Sequence, residues 1–499
     1  MFAIIHATSE QSLDHALCDA LLLYGLKLII VWNQDLGPLQ LSDAKGTDTE
    51  VIFINGLRPL RNSTIRRMTL NSARLPSAFA VWDGPDKKDL VAARLSVDTF
   101  NLWLPQERGD IKQACKKLTE NDSLKSFDLE EFSGTGAIRV GGSFAGSGIA
   151  RYYGKSANGR GAQKLRDEMR MYKSFPETVS DYYPKLLFGI EDDQGTASLG
   201  THYVDHPNLR DLLLNMKISA NEATSILQKV LNFEYGEVDL GHRQPVPANY
   251  VQDCHFHRVW ERIAISAELD PDFIPFIEAR WLQVNGKRLP NIPAMLWRLE
   301  QDQEATKRLQ PEGVSPFIHG DLHLENILCD VKQNRFWLVD PRGYPVCDIF
   351  YDLGKLAHSY HSCYDMIHEG RHVVDFSVGD GVAKIDYKFI SKHLLDVYSQ
   401  LDTQMTAFIH ELLQAHGEAK DVDLRIRFNE AMHFCSMMPF HINSKSNPSI
   451  SHPIYAVGAG LLAEVLEKLG IDLESCVDMQ DAGLARLNDM SKKQWRFAG

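Results

Sequence analysis

Cysteine, long apolar runs and blocks of basic charge are all scarce in this chain, and each scarcity excludes a class of protein. The 499 residues hold eight cysteines, scattered without paired spacing. That usage fits reduced thiols in a cytoplasm rather than a disulfide framework, so a cytoplasmic location is expected. No apolar run reads as long enough to cross a membrane, and no membrane span is expected. The first seven residues, Met-Phe-Ala-Ile-Ile-His-Ala, show no basic region ahead of an apolar core and a small-residue cleavage site, so a secretory signal is not expected either. Lysine and arginine never form a block, and the net charge is −13. A phosphate backbone needs a basic footprint, which removes nucleic acid as the expected partner. Cys254, His255 and His257 make a local Cys/His cluster. Lacking a second half-site, they read as part of a helix with Trp260 and Ile263 rather than as a zinc site.

What is present is globular: 44% of residues are hydrophobic and 24% charged. At this length two or three domains are expected. The informative stretch is 316–343, PFIHGDLHLENILCDVKQNRFWLVDPRG. It reads as an apolar approach, a polar loop carrying Asp321 and Asn326, a short strand, a turn, and a second strand ending on Asp340. If Asn326 and Asp340 converge, an amide oxygen and a carboxylate suit a hard cation such as Mg²⁺, which binds phosphates with few protein ligands. Asp321 is then left to orient and deprotonate a hydroxyl. The bland alternative is a β-hairpin with surface acids.

The stretch resembles the aminoglycoside phosphotransferase and choline kinase group, small-molecule kinases with a protein-kinase-like fold. Those enzymes carry His-Gly-Asp-Leu-His, an Asn five residues after the Asp, and an Asp on the next strand; Asp321, Asn326 and Asp340 match that order. The resemblance implies ATP and Mg²⁺ as cofactors, Asp321 as catalytic base, and Asn326 and Asp340 as metal ligands. A second, softer resemblance rests on Asp340-Pro341-Arg342-Gly343 and on 351–359, YDLGKLAHS. These segments look like a branch of kinase-like proteins associated with bacterial capsule and surface-polysaccharide synthesis.

Residues 1–125 alternate strand and helix signals, an α/β pattern with a mainly parallel sheet as one form. Strands are expected over 2–6, 27–32, 50–54, 78–82 and 90–97, and a helix after Ser9 carrying Leu13, Leu17 and Leu21. Arg58-Pro59-Leu60-Arg61, with 80–84 and 91–93, faintly resembles part of a sugar-nucleotide pyrophosphorylase. That family places a glycine-rich, Arg-containing loop after the first strand, where this chain has His6-Ala7-Thr8-Ser9-Glu10. A scaffolding, interaction or degenerate domain is therefore favoured over an active nucleotidyltransferase. It leaves room for self-association or a protein partner.

Residues 116–128 read as a helix followed by a linker, and 126–204 as a nucleotide-binding lobe. The stretch 133–148 holds six glycines, whose bare backbone lets amides approach phosphates and equally suits a flexible hairpin. A kinase lobe needs a strand cation for the α/β-phosphates and a helix glutamate to pair with it. Glu168 is the glutamate; the cation is Arg151 or Lys155. Arg151 fits the strand position better, while Lys155 follows Gly154 and supplies the usual ammonium, and the two are not interchangeable. Strands over 182–190 and 197–204 lead to a hinge. There the resemblance implies that the backbone around Tyr203 and Val204 meets the adenine edge.

Residues 205–499 read as a mainly helical lobe holding the loop. Apolar faces appear at Ile226, Val230 and Leu231, at Ile292, Leu296 and Leu299, and over 389–413. A polar loop is expected over 442–453, with helices over 456–469 and 482–493. His319 is expected to be a buried anchor, and His323 and Glu325 to shape the loop or touch an acceptor. Arg342 either neutralises a phosphate or pairs with a carboxylate. Asp348 and Asp352 are expected to hydrogen-bond the loop backbone. Met437, Met438 and Phe440 read as core, with His441 toward an acceptor. The whole reads as a small-molecule kinase acting on a hydroxyl, a sugar or polyol in the softer resemblance and choline or an aminoglycoside otherwise. Competing readings are a kinase-like regulatory module that binds nucleotide without turnover, and a bifunctional enzyme with an active N-terminal nucleotidyltransferase.

Overall fold

The computed structural model describes residues 2–7, 27–32, 50–55, 79–83, 89–96, 111–120, 125–128, 139–140, 152–157, 160–191, 195–342, 347–418, 420–442 and 448–492. The chain divides into two compact units, 1–162 with 187–203, and 163–186 with 204–499.

The first unit opens with a six-stranded sheet. Its strands are β1 (Phe2–Ala7), β2 (Lys27–Trp32), β3 (Glu50–Asn55), β4 (Phe79–Asp83), β5 (Asp89–Ser96) and β6 (Lys125–Asp128), in the order β2-β1-β3-β5-β4-β6. The β1–β2, β1–β3 and β4–β6 pairs are parallel, whereas β5 runs antiparallel to both β3 and β4. Five of the six strands therefore run the same way, as expected of a mainly parallel sheet, and only β5 is reversed. Its central strands are near-continuous apolar runs, and Ile52, Ile54, Ala80, Ala92 and Ala93 are buried. Helix α1 (Ile111–Glu120) buries Ile111, Ala114, Cys115 and Leu118, one face at helical spacing. The expected linker after it is instead β6, a strand of this sheet. The helix expected after Ser9 and most of the glycine-rich stretch lie outside the described residues.

A second sheet in this unit has four strands: β7 (Arg139–Val140), β8 (Tyr152–Ala157), β9 (Leu186–Glu191) and β10 (Ala197–His202), in the order β7-β8-β10-β9. Gly154 faces Gly200 across the β8–β10 ladder. A Cβ on Gly200 would stand 2.2 Å from the Phe188 ring, so the aromatic lies directly on bare backbone.

The second unit is mainly helical. It contains nearly all of α2 (Arg160–Ser174), then α3 (Leu209–Leu214), α4 (Ala220–Phe233), α5 (His257–Leu269) and α6 (Ile292–Glu300). Asn208 and Ser219 cap α3 and α4 with side-chain oxygens, and Ser219 with Glu222 completes a capping box. Pro293 sits in the first turn of α6, where its missing N–H costs nothing. Cys254 and His255 lie in a wide turn at Gln252–Phe256 that runs straight into α5.

One element was not expected: a second four-stranded sheet inside this helical unit. Strands β11 (Trp281–Val284) and β12 (Lys287–Pro290) form a hairpin, and so do β15 (His372–Gly379) and β16 (Val382–Phe389), with β11 joined in parallel to β16. Both hairpins close on consecutive residues with positive φ, Asn285-Gly286 and Asp380-Gly381. That is the turn whose twist matches paired strands. Phe389 therefore ends a strand and does not begin a helix.

Further helices are α7 (Ile349–Tyr360), α8 (Tyr364–His368), α9 (Lys392–Ala415), α10 (Val422–Ser436), α11 (Met438–His441), α12 (Pro448–Lys468) and α13 (Gln480–Lys492). Helix α12 takes in residues expected to be loop. By length and composition Ser449–Lys468 is the one helix among the described residues that passes as a membrane span, with 83% of its apolar window buried inside the protein. Its all-round apolar surface is what a helix at the centre of a core requires. Helices α7 and α10 pack closely because residue 354 is glycine; a Cβ there would stand 2.5 Å from that of Asn429.

Candidate active site

The loop ahead of the hairpin β13 (Ile327–Asp330) and β14 (Arg335–Leu338) is held from below by alternating apolar residues. Ile318, Leu322 and Leu324 are buried in the core with Ile349, Phe350, Leu353 and Leu356 of α7. Of the polar residues between them, Asp321 is the one left most open, with His323 less so. Gly320 adopts φ +75°, and a Cβ there would press on that of Arg342 at 3.0 Å, so the turn requires glycine.

Two side chains fix the loop's backbone. Asp352, fully buried on α7, accepts from the Gly320 amide at 3.0 Å and the Leu322 amide at 3.4 Å. Burial pushes its carboxyl up to about 7, against the pull of those amides. His319, also fully buried, bonds the Val339 carbonyl through Nε2 at 2.9 Å and meets the Asp321 amide through Nδ1 at 3.2 Å. A carbonyl only accepts and an amide only donates, so the ring is neutral with its proton on Nε2. Burial holds its pKa down to about 4. Both nitrogens are spent on the backbone, and the ring is an anchor. Asp348, expected to act on the loop, instead accepts from Tyr250 and pairs with Arg425.

Asp321 stands at the rim with its side chain 42% exposed. Lys355 Nζ lies 3.1 Å from Oδ1, and His323 Nε2 lies 3.7 Å from Oδ2. Desolvation favours the neutral acid, but Lys355 and then His323 outweigh it and hold the carboxyl well below the usual range. Lys355 was missed by sequence reasoning. The available signal was its spacing: three residues after Asp352 on one helix, it shares the face that meets the loop.

The hairpin sets the Asn326 backbone against Val339, the residue before Asp340. The Val339 amide donates to the Asn326 carbonyl at 3.0 Å, and Asn326 Nδ2 donates to the Asp321 carbonyl at 2.9 Å. The buried amide thereby turns its nitrogen to the loop and keeps its oxygen as an acceptor. Asp340 sits at φ +60°, a left-handed conformation that non-glycine residues seldom adopt and that clusters at functional sites. One carboxylate and one amide oxygen, with no thiolate or imidazole in the set, fit a hard oxygen-seeking cation such as Mg²⁺.

Glu325 points away from Asn326. It pairs with Arg210 of α3 at 3.3 Å, and Arg210, 1% exposed, also meets Asp365 at 3.6 Å and bonds Glu369. One buried guanidinium thus ties the loop to α3 and α8. Arg342, just past Asp340, donates its backbone amide to the His319 carbonyl at 2.8 Å and its guanidinium to the Tyr351 hydroxyl. Met437 and Met438 are core as expected, but Phe440 is 51% exposed.

The nucleotide-side residues fall in both units. Lys155 lies inside β8, opposite Leu199; it is buried, with Nζ 5.8 Å from the Tyr153 ring centre. Glu168 is buried on α2 in the second unit. Tyr203 ends the first unit and Val204 begins the longer segment of the second. Arg151 lies outside the described residues.

No protein-family model matches the chain, and no curated protein matches its sequence. Among solved structures it is similar to a thermostable mutant of aminoglycoside phosphotransferase APH(4)-Ia, at 14% identity over 68% of this chain and 97% of that one, with a TM-score of 0.32. It is similar also to choline kinase from Cryptosporidium parvum Iowa II, at 13% identity over 71% of this chain and 93% of that one, with a TM-score of 0.34.

Proposed function

We propose that this protein is an ATP- and Mg²⁺-dependent phosphotransferase that moves the γ-phosphoryl group onto a hydroxyl of a small molecule. The observation that carries the reading is the arrangement of 319–340. An exposed carboxylate, an amide oxygen and a second carboxylate are fixed around one loop by His319, Asp352 and the Asn326–Val339 bond.

In this reading Asp321 orients the acceptor hydroxyl and takes its proton. The hydroxyl oxygen bonds to the γ-phosphorus, the bond from that phosphorus to the β–γ bridging oxygen breaks, and ADP leaves with the electron pair. A carboxylate held ionised by Lys355 is a weak base, so its main service is orientation, and it receives the proton late in the transfer. Asn326 and Asp340 would hold Mg²⁺, which when bound neutralises charge on the transferring phosphates. Lys155 and Glu168 are the candidates for the phosphate-holding pair, with the backbone of Tyr203 and Val204 for the adenine edge. The resemblance of 340–343 and 351–359 to capsule-associated proteins supports a sugar or polyol acceptor and a role in surface-polysaccharide metabolism.

The test is transfer by the purified full chain from Mg·ATP to a broad panel of hydroxyl compounds, read by mass spectrometry as a gain of HPO3. Nucleotide binding without transfer to any acceptor, or to water, would favour a regulatory module.

A further inference from the structure

Beside Asp321 the second unit gathers cations that its own acids do not neutralise. Arg258 and Arg262 lie one turn apart on α5, Arg342 follows the loop, and Lys164 projects from α2. Arg258 and Arg342 both donate to the Tyr351 hydroxyl, with guanidinium carbons 5.5 and 6.0 Å from that ring's centre. Lys164 Nζ and Arg262 Cζ stand 5.3 and 4.9 Å from the centre of the exposed Phe440 ring. Among the described residues none of these four cations has an ion-pair partner, and Arg262 Nε is buried without a hydrogen bond.

Other enclosed arginines of this unit do have carboxylates: Arg210 has Glu325, Asp365 and Glu369, and Arg425 has Asp348. The set around Tyr351 and Phe440 has no such partner, and its strain is electrostatic. Burial and then Arg258 push the Arg262 guanidinium down to about 10, and Glu261 does not reverse it. Desolvation of the ammonium itself, on a residue otherwise exposed, and then Arg262, Arg342 and Arg258 lower the Lys164 pKa, which Asp321 alone opposes. A bound anion would offset that repulsion, and planar guanidinium forks match the oxygens of a phosphate or carboxylate.

We infer that the acceptor is itself an anion, a hydroxyl compound bearing a phosphate ester or a carboxylate, held by Lys164, Arg258, Arg262 and Arg342 with its hydroxyl at Asp321. The inference rests on the phosphotransferase reading and names the substrate class for that site. It turns away from cationic acceptors such as choline or an aminoglycoside, which the same four charges would repel.

The full chain is assayed with Mg·ATP on glycerol 3-phosphate, a hexose 6-phosphate and a hexuronic acid, against glycerol, the neutral hexose, choline and kanamycin. The expected result is a kcat/KM at least about tenfold higher for the anions. Arg262→Gln and Lys164→Gln should each raise KM for the anionic acceptor by about tenfold or more, and KM for Mg·ATP far less. Lys164 is exposed, so its replacement leaves the core intact. Equal or better turnover of neutral or cationic acceptors overturns the inference while leaving phosphotransfer standing. So does an equal rise in both KM values, which would assign the cations to the donor. If nothing is phosphorylated, calorimetry with inorganic phosphate and with glycerol 3-phosphate, without nucleotide, still decides. Binding that is lost in Arg262→Gln keeps the anion site and discards the kinase, whereas no binding discards the site.

Discussion

Lys355 holds its ammonium 3.1 Å from Oδ1 of Asp321, so the acid proposed as base is locked in its ionised form by a residue one helix away. The pairing keeps Asp321 charged through the whole neutral range and steadies the oxygen that meets the acceptor. Replacing Lys355 with Met removes the largest opposing charge, and the Asp321 pKa rises. A base works only above its pKa, so the acid limb of the kcat/KM profile should move up toward neutrality in Lys355→Met. In the wild type the profile should stay flat down to about pH 5. An acid limb that does not move would show that Lys355 does not govern Asp321.

Asp321 and Asp340 should fail differently. A general base contributes about 10²–10⁴ in rate, so Asp321→Asn should lose that much kcat while nucleotide still binds. Asp340 supplies one of only two protein oxygens in the proposed metal set. Asp340→Ala should therefore lose at least as much turnover and also lose the Mg²⁺ dependence of nucleotide binding. Calorimetric titration of nucleotide with and without Mg²⁺ separates the two variants.

The loop was legible because its chemistry is local. Asp321, Asn326 and Asp340 lie within one loop and hairpin, and Phe336 and Leu338 alternate into the core as a strand should. The supporting charges were harder to read: Lys355 was marked only by its spacing from Asp352, and Arg210 lies 115 residues from Glu325, a distance that no local pattern spans. The second sheet was missed for a different reason. Asn285-Gly286 and Asp380-Gly381 are strong hairpin signals, but the polar flanking residues, such as Lys287 and Arg288, masked the strands between long helical patterns. In the first unit the strand runs were readable to within a residue or two. The direction of β5, antiparallel to both its neighbours, depends on chain crossings that no local signal records.

Arg210 should matter to stability more than to chemistry. It is buried among Glu325, Asp365 and Glu369, and removing it would leave Asp365 and Glu369 enclosed without their cation. Breaking such a network from one side costs about 3–5 kcal/mol. Arg210→Met should lower the urea midpoint accordingly. Glu325→Gln, at the most exposed of the three acids, should cost little in the same measurement. Equal losses in the two variants would contradict this ranking.

Glu234 sets a pH dependence that can be isolated. It is fully buried where α4 gives way to a wide turn, and neither carboxyl oxygen has a hydrogen-bond partner among the described residues. Burial, and then the charges of Asp352 and Asp239, raise its pKa well above that of a free glutamate. The native state therefore keeps a proton that the unfolded chain sheds above about pH 4. Where the native state binds more protons, stability falls as pH rises; the loss begins at the unfolded pKa and ends at the folded one. Glu234→Gln keeps the shape and removes the titration. Its melting temperature should match the wild type most closely near about pH 4.5 and exceed it increasingly toward about pH 8. Parallel curves for the two proteins would mean that Glu234 is already ionised in the native state at the acid end. Asp352, which holds the loop amides of Gly320 and Leu322, would then stand near a second buried charge and not near a neutral acid.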